Sequence, residues 1–254
     1  MSTVKVNELS TYSGTDISIE TGKTVAGTAS QFKMTGGSSG QYVQTDGAGA
    51  LSFATVAETG FDDIAAFTTT QAYTIPTGIT KQLFIVTGSG GGSGGSSGSA
   101  FASAGSAGGT VIKRLALAAG SVIQITIGAA GTGGATTANG IDGGDVTVAS
   151  TSGTSFTTLT GPGGQKGIYN AGPTVSTVPT GGDINIPGGA GGCYYSSGGA
   201  SIWGGGGAGG FGNTTAAADG IVPGSGGGGS MTGGVLTFVG GDGAPGIVMI
   251  HLYK

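Results

Sequence analysis

Near the start of the chain, apolar residues recur at every second position: Val4 and Val6, then Ile17 and Ile19, with YSGTD between the pairs. A period of two puts both members of a pair on one face of an extended chain, so the stretch reads as a hairpin or two short strands. The same logic returns at GQYVQTDGAGALSFATV, where Tyr42 and Val43 precede an Asp46-Gly47 turn and Leu51 and Phe53 follow it. Asp-Gly between two alternating segments is a hairpin signal. FDDIAAF, from Phe61, has the spacing of a short apolar helical turn. No other segment keeps a 3.6-residue stripe, because glycine interrupts every candidate.

From Phe67 the pattern becomes denser. FTTTQAYTIPTGITKQLFIVTGSG reads as strand, Pro-Gly turn and strand, with Leu83 and Ile85 on one face and Phe84 and Val86 on the other. Both faces are apolar, which predicts burial on both sides. Two further strands run from Val111 to Leu117 and from Val122 to Ile127, joined through Ala119-Gly120; GGDVTVAS and TSFTTLTG follow, and GIVMIHLYK closes the series. At least six strands without helices predict an all-β sandwich or barrel.

Composition changes this picture at one point. The chain has 254 residues, 61 of them glycine; residues 1–87 hold 10, which leaves 51 for residues 88–254. The reading is therefore two regions: an N-terminal β-structured attachment region, 1–60, and a glycine-rich β domain with exposed loops, 61–254. A collagen helix would need Gly at every third position, and GGAGGCYYSSGGASIWGGGGAGG breaks that rule repeatedly. The ordered alternative is the extended threefold helix shared by polyproline and polyglycine. Without side chains, such rods pack backbone to backbone and exchange N–H···O=C bonds. Gly188–Gly192, Gly204–Gly210 and Gly226–Gly229 are the predicted polyglycine II rods, with Ser and Ala as tolerated fillers from Gly88 onward. The segments between rods are then forced outward as loops at the rod ends.

Charge excludes several function classes. Eight Lys plus Arg against twelve Asp plus Glu give a formal net charge of −4. Lys113-Arg114 is the only adjacent basic pair, so nucleic acid is not an expected partner. A single cysteine, Cys193, excludes an internal disulfide framework and any multi-cysteine metal site. The N-terminus lacks the apolar core of a signal peptide and no apolar run approaches the ~20 residues of a membrane span, so synthesis in the cytoplasm and no membrane embedding are expected.

Candidate chemistry is thin. His251, the only histidine, sits in a strand pattern, and Cys193 has no neighbouring base. Asp142, Asp145, Asp183, Asp219 and Asp242 could pair for glycoside cleavage, but all lie in turn-like Gly contexts where Asp is expected anyway. The DGGD stretch lacks a full calcium ligand set, and GSGGGSGG lacks the Lys-Ser/Thr pair of a phosphate loop. No catalytic residue, metal or cofactor is expected.

Aromatic residues carry the stronger signal. Tyr169, Tyr194, Tyr195, Trp203 and Phe211 lie in the Gly-rich half, outside the assigned strands, with Asn170 and Asn213 beside them. Rings stacking on sugar faces next to amides are a physical basis for glycan binding. Plugging the rod bundle or packing between subunits is the alternative. Trp203 is expected buried and Tyr195 exposed.

AYTIPTGITKQLFIVTGSGGGSGG, GGTVIKRLALAAGSVIQITIGAAGTGG and GAPGIVMIHLYK resemble the glycine-rich domain of bacteriophage tail-fibre and related virion proteins, over about residues 67–254. GGSSGQYVQTDGAGALSFATV is similar to a short module of phage fibre proteins, and VKVNELSTYSGTDISIETGKTV to N-termini of cyanophage-like virion proteins. The resemblance implies a homotrimeric fibre or fibre-tip adhesin of the virion that meets a host glycan or outer-membrane protein through its loops. Residues 1–60 would then join other virion tail or fibre proteins. A purely structural virion component, such as a head fibre, horn or capsid decoration, is the alternative; a cellular glycine-rich wall or ice-binding protein fits less well.

Overall fold

The computed structural model describes residues 37–48, 51–55, 60–98, 100–175, 177–211, 215–233 and 236–254. The chain divides into two compact units, Met1–Ala57 and Glu58–Lys254. In the first, β1 (Gln41–Thr45) and β2 (Leu51–Thr55) form the antiparallel hairpin that the alternation predicts, with Val43 opposite Phe53. Asp46 Oδ1 accepts the Ala48 N–H at 2.8 Å and Gly47 takes φ +83°, which is why Asp-Gly starts this turn. The strands expected around Val4 and Ile17 lie outside the described residues.

The second unit contains β3 (Phe61–Phe67), β4 (Gln71–Thr74), β5 (Lys81–Thr87), β6 (Ser96–Ser97), β7 (Thr110–Leu115), β8 (Val122–Thr126), β9 (Val146–Ser152), β10 (Leu159–Gly161), β11 (Ile184–Ile186), β12 (Gly210–Phe211), β13 (Ser230–Met231), β14 (Thr237–Phe238) and β15 (Ile247–Tyr253). Two sheets, in the orders β10-β9-β8-β4 and β11-β7-β5-β15-β3, face each other as a sandwich. Its core takes Phe84, Val86, Val111, Val248 and Ile250 from the larger sheet and Ile123, Ile125, Val146, Val148 and Leu159 from the smaller. The fold is all-β, as the alternation and the lack of any helical stripe predict.

Two expectations are corrected here. FDDIAAF is not a helical turn but strand β3, paired antiparallel with β15 so that Phe67 meets Val248 and Ile64 meets His251. Seven residues cannot nucleate a stable helix alone, whereas the open edge of β15 supplies a full ladder. Strand β5 is not buried on both faces: Phe84 and Val86 are fully buried, while Leu83 and Ile85 are half-buried on the outer face. The segments joined by Pro-Gly and by Ala119-Gly120 enter different sheets, so these turns are arches over the core edge rather than hairpins. Ile75, Ile79 and Leu117 close that edge. Gln82 is buried as well, and its side-chain amide brackets Leu117: Oε1 accepts the Leu117 N–H at 2.9 Å and Nε2 donates to the Leu117 carbonyl at 3.2 Å.

Beyond Thr87 the chain leaves β5 and becomes a rod, 88–97, with a threefold bonding pattern. N–H groups of Gly88, Gly91 and Gly94 donate to Gly109, Ser106 and Ser103; those of Ser89, Gly92 and Gly95 to Gly144, Ile141 and Ala138; those of Gly90 and Ser93 to Ala244 and Gly241, all at 2.8–3.2 Å. Three successive residues therefore bond three different antiparallel neighbours, the signature of a helix with three residues per turn. Carbonyls of the same rod accept from Gly131 and Gly134, from Gly164 and Gly167, and from Gly227, so six rods surround it. The second inner rod, 102–109, donates in the same rhythm to 224–230, 162–168 and 189–192. The predicted rods at Gly188–Gly192, Gly204–Gly210 and Gly226–Gly229 are all members of this lattice.

Close approach explains the glycines. A Cβ on Gly105 would come closer than 3.0 Å to Gly91 O, and one on Gly226 would meet Gly105 O in the same way. Neither residue has a positive φ. The requirement is space, not backbone freedom. Where a side chain fits in the two inner rods, it is Ser or Ala, and the Ser hydroxyls join the network: Ser103 Oγ and Ser106 Oγ accept the N–H groups of Ile168 and Gln165 at 2.7 Å.

Candidate functional site

Because β5 runs without a break into rod 88–97, the lattice has a base at Thr87 and a far end near Ser97. The far end is where consecutive rods must reverse. Short pairs mark it: β6 with β14, antiparallel, and β12 with β13, parallel. Isolated bridges join Phe101 to Met231 and Ala102 to Tyr169.

These pairings bring one pair of aromatic rings into contact. The ring of Phe101 stacks on Tyr194 with centroids 4.4 Å apart and planes at 27°. Asn170 N donates to Phe101 O at 2.8 Å, which fixes Tyr169-Asn170 beside the same turn. Tyr194 and Tyr195 are 47% and 45% exposed, and Asn170 is exposed. Tyr194 (φ 61°) and Asn170 (φ 51°) both lie in the left-handed region. That conformation suits Asn but costs a tyrosine about 1–2 kcal/mol, so the lattice holds Tyr194 in an unfavourable pose that turns its ring toward Phe101.

Of the residues expected at the site, Tyr169, Asn170, Tyr194 and Tyr195 lie in segments at the rod ends. Phe211 reaches the same end through the backbone pairing of β12 with Met231. Asn213 lies outside the described residues. Trp203 is a correction: it is half-buried rather than buried and belongs to the base, where its indole N–H donates to Thr87 Oγ1 at 3.0 Å. Thr87 is bonded in turn to Thr110 Oγ1 at 2.9 Å, so Trp203 clamps the first turn of the lattice to the sandwich. Phe101 was not among the expected residues. Its only sequence signal is its place as the sole aromatic within GSGGGSGGSSGSAFASAGSAGG.

The aspartates considered for glycoside cleavage are engaged otherwise. Asp145 Oδ1 accepts the Gly163 N–H at 2.9 Å, Asp142 Oδ1 the Lys166 N–H at 2.7 Å, and Asn139 Oδ1 the Tyr169 N–H at 2.9 Å. Asn139, Asp142 and Asp145 are spaced by three, as are Gly163, Lys166 and Tyr169, so one side-chain ladder covers the outward N–H groups of rod 162–168 and its continuation. The remaining N–H groups of 164–168 go to Ser89 O, Ser106 Oγ, Gly92 O and Ser103 Oγ. Every N–H from Gly163 to Tyr169 has a partner. Asp242 Oδ1 accepts from Gly133 N at 2.6 Å, and Asp219 Oδ1 from Asp242 N at 2.8 Å. Asp183 binds Lys113 Nζ at 2.5 Å and the Arg114 N–H at 3.0 Å, and these two bonds hold its carboxyl below the usual carboxylate range. The sequence pattern places Asp142 and Asp145 in turns instead; the period-three spacing in NGIDGGD is the signal that could have shown this role.

Cys193 follows the rod 188–192, its carbonyl accepting from Ser196 Oγ at 2.6 Å, while His251 sits in β15 between Ile64 and Leu83. Among the described residues, no group of three His, Cys, Asp or Glu side chains is placed to hold a metal ion. What the far end can do is present flat apolar rings and amides to a surface. No curated protein matches the chain. The model of one family, described as a glycine-rich domain, matches residues 65–253, which span the sandwich and the whole rod lattice, and the chain belongs to that family.

Proposed function

We propose that the chain is a virion fibre protein of a tailed bacteriophage, a tail-fibre or fibre-tip adhesin that meets the host cell surface through the loops at the rod ends. The observation that carries this reading is the stacked pair of Phe101 and Tyr194 at the far end of a rigid backbone lattice, with Tyr194 half-exposed and held in the left-handed region and Tyr169 and Tyr195 in the adjoining segments. A strained, half-exposed tyrosine such as Tyr194 on a stiff support is a costly arrangement to maintain for packing alone. The ligand on this reading is a surface glycan, whose apolar sugar faces stack on tyrosine, or an outer-membrane protein.

Homotrimer formation fits the apolar side chains left on the flanks, Ile141 at 60%, Val178 at 70% and Ile221 at 86% exposure. Residues 1–60 would join other virion proteins, and the site of action is the assembled particle. The same flanks also favour a second reading, a purely structural virion component in which the exposed side chains pack against neighbours and no ligand is bound.

The test is binding of the purified, labelled protein to candidate host cells, with Tyr194→Ser/Tyr195→Ser and Ile221→Ser as variants. The adhesin reading expects saturable binding, weakened about tenfold or more by the tyrosine variant and unchanged by Ile221→Ser. Binding that survives loss of both tyrosines moves the site elsewhere. Absence of binding by a folded wild type, together with its presence in virions, leaves the structural reading.

A further inference from the structure

The end of the sandwich opposite the rods has a different chemistry. Lys81 opens β5, Arg114 lies near the end of β7, and Lys254 follows β15; together with Gly60, Leu83 and Tyr253 they line a cavity of about 540 Å³. A second depression of about 310 Å³, lined by Leu115 and Ala116, shares Lys81 and Arg114 with it, so the two form one groove. Lys113, next to Arg114 in β7, projects from the opposite face of the sheet, in register with Phe84, and is paired with Asp183. With Lys254 and Lys113 matched by Asp62 and Asp183, Lys81 and Arg114 leave two positive charges at the groove unmatched among the described residues, in a chain of net charge −4.

Two of these cations are uncommitted. Lys254 is paired with Asp62 at 2.6 Å and Lys113 with Asp183 at 2.5 Å. Lys81 and Arg114 form no ion pair with a carboxylate among the described residues, although the Arg114 charge adds at longer range to holding Asp183 ionised. Both are exposed. The groove floor is apolar: Leu83 and Tyr253 are half-buried, and Leu83 stands in a row with His251 and Arg114 across three strands. Backbone donors here are already used, Thr80 N on Tyr253 O at 2.9 Å and Lys254 N on Gly60 O at 3.0 Å. A small inorganic anion would thus find side-chain cations without the convergent N–H groups that hold phosphate, in a space far larger than it fills.

We propose that this groove docks an acidic segment of a partner polypeptide, a carboxylate lying on the Arg114 fork and Lys81 while an adjacent apolar side chain rests on Leu83 and Tyr253. The site is distinct from the rod ends and does not depend on the adhesin reading. Charge complementarity selects the occupant, and the apolar floor selects a peptide over a free anion.

The experiment is calorimetric titration of the full chain at low ionic strength with a capped hexapeptide of alternating Glu and Leu, and with its Gln/Leu counterpart. Saturable binding of the Glu peptide alone, reduced about tenfold in Arg114→Gln and in Lys81→Gln and unchanged in Lys166→Gln, supports the site. Binding should also weaken as salt is raised to about 0.5 M, where the Debye length shrinks well below 10 Å. No saturable binding, equal binding of the Gln peptide, indifference to both groove variants, or inorganic phosphate competing as well as the Glu peptide would each overturn it. Unchanged thermal unfolding in the variants separates lost binding from lost folding.

Discussion

The sandwich and the rod lattice share one continuous chain, yet they are held together by opposite means. In the sandwich, side chains such as Phe84, Ile125 and Ile250 are fully buried and the backbone serves mainly to position them. Removing apolar surface from water is the main stabilising effect there. In the inner rods no side chain is larger than Ser and the backbone itself is the packed material, its N–H groups directed in turn to three neighbours. A methyl group is therefore an asset in one region and an obstruction in the other.

Substitutions that add or remove small groups test that contrast most directly. The largest effect is expected for Phe84→Ala, which empties a fully buried site and should lower stability by about 4 kcal/mol in denaturant unfolding. Gly105→Ala should cost nearly as much, about 3 kcal/mol, because its new methyl would overlap Gly91 O in the interior of the lattice. Deleting a methyl from the sandwich with Ile125→Val should cost only about 1 kcal/mol. If Gly105→Ala were as mild as Ile125→Val, the lattice would be looser than its bonding implies.

Two smaller effects sharpen the comparison. Gly120 has φ +81° and open space around its Cα, so Gly120→Ala should cost about 1 kcal/mol through backbone strain alone, unlike Gly105. Asp145→Ala leaves the N–H of buried Gly163 without its acceptor and should also cost about 1 kcal/mol, while Asp145→Asn keeps an acceptor oxygen and should lose less. The smallest effect concerns acid. Asp183 has its carboxyl held below the ordinary value by Lys113 and the Arg114 N–H. Its contribution is present above the unfolded value and fades as pH falls through the lower folded one. Asp183→Asn should therefore remove that small contribution near neutral pH and flatten the dependence of stability on pH in the acid range, as read by unfolding midpoints between about pH 2 and 7.

Much of this architecture can be read from particular residues. The alternation at Val111, Val122 and Val248 and the Asp46-Gly47 turn carry their own geometry, because a period of two and a turn residue are local properties. The rods were legible for a similar reason: long Gly runs with only Ser and Ala as fillers leave few ordered packings. FDDIAAF was misread because its identity as a strand depends on β15, nearly two hundred residues later. Trp203 was misplaced for the same kind of reason. Its partner, Thr87, lies 116 residues earlier, and nothing local distinguishes a clamp at the lattice base from a ring at the rod ends.

The sequence by itself determined the material: strands where apolar positions alternate and backbone rods where side chains are missing. Local sterics and hydrogen-bonding capacity impose these wherever the segment lies. Only the tertiary structure decided which rods are neighbours, which end gathers Phe101 with Tyr194, and that Lys81 and Arg114 share a groove at the opposite pole. Those choices depend on pairing between distant segments, and glycine rods, being nearly identical to one another, carry almost no local information about which partner each one takes.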